Sequence, residues 1–139
     1  MGHMDGNTDI AYQLATLEHG VQISFDRFGI QGLVGAAPTD EARTVCLIGL
    51  LGMGYPERIL LSHDTVNLWL GRPLVLPENV EQLLANWHIE HLFENIVPML
   101  EQAGVTDEQI NTIFVENPKN LFSPTSERET TQVAATAER

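Results

Sequence analysis

The chain has 139 residues, and 7 basic side chains against 19 acidic ones leave a formal charge of −12 at pH 7, a balance that repels phosphate backbones and anionic lipid heads and so excludes nucleic acid and membrane surfaces as expected partners. Hydrophobic content of 43% suits a folded domain, and the most apolar run, residues 45–55, is broken by three glycines and falls short of the roughly 20 residues that a membrane span needs. The single cysteine, Cys46, has no internal disulfide partner, so a reducing, cytoplasmic setting is expected.

Thr8 and Asp9 supply a capping hydroxyl and acid, and Ile10, Leu14 and Leu17 follow at helical spacing, which predicts a helix ended by Gly20. Val21, Ile23 and Phe25 alternate with polar residues, so 21–25 reads as a short strand running into Asp26-Arg27-Phe28-Gly29. After a loop with Gly32, Gly35 and Pro38, Thr39-Asp40-Glu41 opens a second helix. Its expected apolar face is Ala42, Val45, Cys46 and Gly49, and Gly52 and Gly54 close it. Past a turn at Pro56, the run Ile59-Leu60-Leu61 predicts a strand over 58–62, covered on both faces as parallel strands are and ending in His63-Asp64.

Residues 65–76 read as a long loop carrying Trp69. Helices are predicted over 78–85 and 91–103; Phe93, Ile96, Val97 and Leu100 form the stripe of the second, and Pro98 should kink or break it. Thr106 with Gln109 makes a capping box, after which Ile110, Ile113 and Phe114 form a short apolar face that Asn117-Pro118 is expected to stop. Residues 123–139 have the composition of a disordered tail. Two βα units in series indicate an α/β class. Two parallel strands alone leave open edges and a bare apolar face, so the pattern looks like a piece of a larger parallel sheet.

In parallel α/β folds, ligand-binding and catalytic groups collect where a strand's carboxyl end gives way to a loop. His3, Asp26 with Arg27, and His63 with Asp64 stand at such places. Each has a structural reading as well. A strand-end Asp commonly caps a loop amide, Asp26 and Arg27 can form a surface ion pair, and His63 can be a satisfied structural histidine. Met1-Gly2-His3-Met4 also resembles the remnant of an expression tag. Cys46 reads as packing, and His88 with His91, three apart, lacks the further ligand that a metal site needs.

The stretches GHMDGNTDIAY (2–12), ISFDRFGI (23–30), GYPERILLSHD (54–64), HLFENIVPMLEQAGV (91–105) and NPKNLF (117–122) together resemble the carboxyl-terminal part of the phosphotriesterase family of the amidohydrolase superfamily, in particular its lactonase-like branch. The resemblance covers residues 2–122 in order and at matching spacing, and it favours GHMD as a genuine strand ending over a tag. It implies a (β/α)8 TIM barrel, of which this chain holds the end of strand six through strand eight and the final helices, with residues 1–122 as a partial hydrolase barrel. Such enzymes hold two divalent metal ions, usually Zn²⁺, bridged by a hydroxide. The family's ligands are a His-x-His pair on strand one, a carboxylated Lys on strand four, and single ligands on strands five, six and eight.

Carried over by position, His3 matches the strand-six metal ligand, and Asp64 matches the strand-eight Asp, both metal ligand and proton acceptor. Asp26 and Arg27 match the strand-seven end beside the substrate pocket, and Trp69 lies in the loop after strand eight that helps form that pocket. The chain holds no His-x-His pair, and its one lysine is Lys119. The resemblance thus implies a metal-dependent hydrolase of phosphotriesters, esters or lactones to which this chain contributes part of the site, the isolated chain being inactive. The expected partners are a small-molecule ester, lactone or organophosphate, and a missing amino-terminal half or a second copy. The alternative is a non-catalytic remnant acting as an assembly module over its open strand edges.

Overall fold

The computed structural model describes residues 1–32, 37–76 and 78–123, apart from the Gln82 side chain. Gly35 and all of the expected tail after Ser123 lie outside the described residues. Helix α1 spans Ile10–Glu18, and the Asp9 carboxylate caps it by accepting from the amides of Ala11 at 3.0 Å and Tyr12 at 3.4 Å. Helix α2 spans Asp40–Gly52, with the Thr39 hydroxyl accepting from the Ala42 amide. Strands β1 (Ile23–Phe25) and β2 (Ile59–Leu61) pair in parallel, Ile23 opposite Ile59.

β1 has a neighbour on each side. The Phe25 carbonyl accepts from Ser62 on the β2 side, while on the other side the Ser24 amide donates to the Met1 carbonyl and the Met1 amino group to the Gln22 carbonyl. Residues 1–3 therefore run alongside β1, and the order in space is the amino-terminal segment, β1, β2. The strand expected over 21–25 begins at Ile23, because the Val21 carbonyl accepts from the Arg58 guanidinium at 2.7 Å instead of a neighbouring strand.

The core lies between the strands and the helices, with Phe25, Ile59, Leu47, Leu50, Ile96 and Ile113 among its fully buried members. Here the expected apolar face of α2 needs correction. Val45 faces solvent, whereas Arg43 and Thr44 are buried together with Cys46, Leu47, Leu50 and Leu51. Gly49 does pack inward: a Cβ there would come within 2.9 Å of the Ile10 side chain, so its absence lets α1 approach α2.

The long loop expected over 65–76 contains a small antiparallel hairpin, β3 (Leu68–Trp69) against β4 (Arg72–Pro73). Its two turn residues, Leu70 and Gly71, have φ of 51° and 77°, the left-handed pair that matches the twist of two-residue hairpins. Helix α3 spans Glu78–Leu83.

Pro98 and Pro118 act by the same means. Pro98 lacks the amide that would bond to the preceding turn, and a wide π turn over Leu92–Ile96 leads into α4 (Val97–Gln102), with the Val97 amide bonded to the Leu92 carbonyl. The kink expected at Pro98 takes this form. Pro118 is handled alike: after α5 (Asp107–Asn111), a π turn over Thr112–Glu116 leads into α6 (Asn117–Phe122). The helical path thus continues past Asn117-Pro118, contrary to the expected stop. Buried Asn117 then donates to the carbonyls of Pro56 and Ile59, 2.7 Å each, tying α6 to the start of β2. The capping box of Thr106 and Gln109 is present, and the Gln109 amide also reaches the Leu51 carbonyl at 3.2 Å.

Candidate active site

The site is built at the carboxyl ends of the parallel strands. His3, Asp64 and Leu70 are the three non-glycine residues with left-handed backbone among those described, at φ of 58°, 52° and 51°. His and Asp tolerate that region better than branched residues, yet it costs energy and is found where surrounding structure holds a functional side chain in place. The left-handed turn at Asp64 ends β2 and is fixed from the far side by Trp87, whose indole NH donates to the His63 carbonyl at 2.8 Å. The Asp64 side chain is exposed and makes no hydrogen bond or ion pair among the described residues.

Arg27, Asp64 and Trp69 meet in one cavity of about 440 Å³, walled otherwise by apolar side chains including Ile30, Leu74 and Leu84, and by Trp87. It joins one cation and one carboxylate to an apolar chamber, the composition of a small-molecule site. The Arg27 guanidinium makes no hydrogen bond among the described residues, its Nε being buried, so its terminal nitrogens keep donors for a ligand oxygen, while the Arg27 backbone amide is tied to the Asp5 carboxylate at 2.9 Å. His3 and Asp26 are not among the residues lining this cavity. They pair with each other instead, His3 Nδ1 lying 2.7 Å from Asp26 Oδ1, and Asp26 turns toward the amino-terminal segment while its neighbour Arg27 faces the chamber.

The donor types fit a divalent cation. An imidazole whose Nε2 has no protein partner and an unpaired carboxylate are ligands that such ions accept. Among the described residues no three His, Cys, Asp or Glu side chains converge on one point, so His3 and Asp64 fall short of the roughly three ligands that a catalytic zinc takes from its protein.

Beneath the chamber lies a charged cluster that periodicity gave no sign of. Arg43, only 1% exposed, places Nη1 2.9 Å from Asp40, Nε 3.4 Å from Asp5, and Nη2 2.7 Å from the Ile30 carbonyl. Asp40 also accepts from the Gly29 amide at 3.1 Å and from His91 Nε2 at 2.8 Å, and Asn95 meets His91 Nδ1 at 3.0 Å. The cluster ties the loop after β1 to α2 and to the start of the turn over Leu92–Ile96. Gly29, at φ 87°, fits because a Cβ there would lie 2.3 Å from the Asn86 carbonyl oxygen. Burial pushes the Asp5 carboxyl above its ordinary range, with the Arg27 amide and the Arg43 guanidinium opposing. Burial also pulls His63 down, helped by His88.

His91 is thus consumed by Asp40 and stacks edge-on to His88 at 5.8 Å; neither serves as the metal pair considered from their spacing. Cys46 donates to the Thr8 carbonyl and is raised by burial and by Asp9, which leaves it an inert thiol.

The profile of the phosphotriesterase family matches residues 1–122. The chain belongs to that family. A "phosphotriesterase homology protein" of Mycobacterium tuberculosis is 31% identical over 122 residues, covering 88% of this chain and 35% of the relative. An aryldialkylphosphatase of Saccharolobus solfataricus is 33% identical over 126 residues, covering 88% and 38%. The solved organophosphorus hydrolase of Deinococcus radiodurans superposes with a TM-score of 0.81 at 51% identity, over 88% of this chain and 36% of that one. The phosphotriesterase-family chain described here therefore spans little more than a third of the length of the relatives it matches. Those relatives are hydrolases, and the mixed helix and sheet of this chain corresponds to a piece of their TIM-barrel fold. None of the described helices is long and apolar enough to cross a membrane.

Proposed function

We propose that this chain is the carboxyl-terminal portion of a metal-dependent hydrolase of phosphotriesters or lactones, holding the end of barrel strand six in residues 1–3, strand seven in β1 and strand eight in β2. The observation that carries the reading is the meeting of Arg27, Asp64 and Trp69 in one largely apolar chamber at the strand ends. His3 and Asp64 would hold a divalent cation, with the remaining ligands supplied by the rest of the barrel. When bound, such an ion lowers the pKa of water and polarises a carbonyl or phosphoryl oxygen.

The chain's own residues do the rest. Asp64, unpaired and exposed, accepts the proton of the attacking water. The unpaired terminal nitrogens of the Arg27 guanidinium donate to an oxygen of the bound ester, which orients it. Ile30, Leu74 and Leu84 exclude water and take the apolar substituent, and Trp69 closes the outer side.

The test begins upstream. A continuous reading frame encoding a His-x-His strand and an internal lysine is expected, and the protein so extended should hydrolyse paraoxon or a lactone with Zn²⁺ or Co²⁺ and lose that activity in Asp64→Ala. The 139-residue chain by itself should show no turnover with either metal. Unrelated upstream sequence behind a true start codon, or activity indifferent to Asp64, would sink the proposal.

A second reading rests on the exposed apolar hairpin and the segment just after it, where Leu68, Trp69, Leu70 and Val75 all face solvent. On that reading the chain is a non-catalytic module that assembles with another copy or a separate amino-terminal half. Association without any metal-dependent hydrolysis in the assembled state would favour it.

A further inference from the structure

We infer that Asp26 is a positioning residue, whose carboxylate sets the tautomer of His3 and turns its Nε2 outward as the metal-facing nitrogen. The inference rests on His3 being a metal ligand as proposed above, and it reassigns Asp26 from the substrate pocket to the support of that ligand.

Three contacts join the two residues across 23 positions of sequence. The ring Nδ1 lies 2.7 Å from Oδ1, and the His3 backbone amide donates to Oδ1 at 2.9 Å and to Oδ2 at 3.1 Å. An ionised carboxylate only accepts, so Nδ1 must carry the hydrogen, and in a neutral imidazole that leaves the lone pair on Nε2. Nε2 has no protein partner, and the His3 side chain is 58% exposed. One carboxylate thus fixes both the left-handed backbone of His3 and the chemical face of its ring.

The carboxylate has no competing charge partner. Arg27 turns to the chamber, Arg43 pairs with Asp40 and Asp5, and the sole ion pair of Asp26 among the described residues is with His3. Gly2 leaves room for it, since a Cβ there would stand 3.2 Å from Asp26 Oδ2. A surface ion pair would need only the ring. The double use of the backbone amide points to orientation, and metal-binding histidines are commonly held through their second nitrogen in this way.

The tautomer can be read directly by ¹⁵N NMR of the full chain at a pH where His3 is neutral. Native His3 should show a protonated Nδ1 and a bare Nε2. In Asp26→Asn the amide oxygen still accepts from the backbone while its NH₂ can donate to Nδ1, so the hydrogen should move to Nε2; Asp26→Ala should fall back on the free imidazole's own preference for the hydrogen on Nε2. Native His3 with its hydrogen on Nε2, or a tautomer unchanged in both variants, would overturn the assignment. Titration with Zn²⁺ alone of the protein extended upstream, which carries the remaining ligands, then separates the two ideas. A shift at His3 Nε2, weakened about 10–100-fold in Asp26→Asn, supports both. With the Nδ1–H tautomer intact, the absence of any shift counts against His3 as a ligand and leaves the role of Asp26 standing.

Discussion

At the residue scale, Arg43 carries the largest single burden. It neutralises two buried carboxylates, and Asp5 Oδ1 already lacks a partner. Removing one member of a buried ionic cluster leaves uncompensated charge, which costs about 3–5 kcal/mol. Arg43→Met should therefore lose that much stability in denaturant unfolding; a loss under about 1 kcal/mol would mean that Asp5 and Asp40 find other partners or take up protons. His63 sets a pH dependence. Its folded pKa lies below the ordinary 6.5, through burial and then His88, with Asp64 opposing. The unfolded chain binds more protons in that range, so the contribution of His63 is complete above 6.5 and is lost as pH falls through the depressed folded value. The thermal midpoint should drop between about pH 7 and about pH 5, and His63→Gln should flatten that drop. Asp5 works in the opposite direction: raised by burial, it contributes fully below 3.8 and loses that contribution as pH rises through its folded value.

At the element scale, the β3–β4 hairpin carries a local conflict. Leu70 occupies a left-handed position at φ 51° although 89% exposed, so no packing compensates a conformation that costs a branched side chain about 1–2 kcal/mol. Leu70→Asn would make the turn Asn-Gly, the favoured pair for this geometry. It should stabilise the hairpin by about 1 kcal/mol, readable as slower hydrogen exchange at the Leu74 amide, which bonds to the Asn67 carbonyl. No gain would mean that the hairpin's conformation is set by something other than its turn. The π turns before Pro98 and Pro118 are a different solution to a local conflict. Each widens the helix by one residue so that a proline without an amide can be passed.

For the whole molecule, the sheet is the weak point. Two parallel strands of three residues each, even with the amino-terminal segment beside β1, leave the outer edge of β2 without a paired strand among the described residues. Such a sheet needs more strands or a covering partner for stability. The isolated chain should accordingly associate in size-exclusion chromatography with light scattering. A monomer that unfolds sharply on heating would argue that the core between α2, α4 and the strands suffices by itself.

The amino-acid sequence determined the helix starts at Asp9, Thr39 and Thr106, the two parallel strands and the family, because caps, periodicity and motif order are patterns carried along the chain; that Arg27, Asp64 and Trp69 stand near a site was implied by the resemblance alone, and their shared chamber appears only in three dimensions. The tertiary structure alone decided where the polar side chains go. Val45 leaves the apolar face that helical periodicity gave it, and Arg43 is buried instead, since it finds Asp5 and Ile30 on separate segments and Asp40 one turn back on its own helix. Asp26 turns away from the chamber because His3, distant in sequence, offers it two donors. A strand end specifies that a polar residue stands there; which partner it meets depends on chain segments brought together only when the sheet and helices pack.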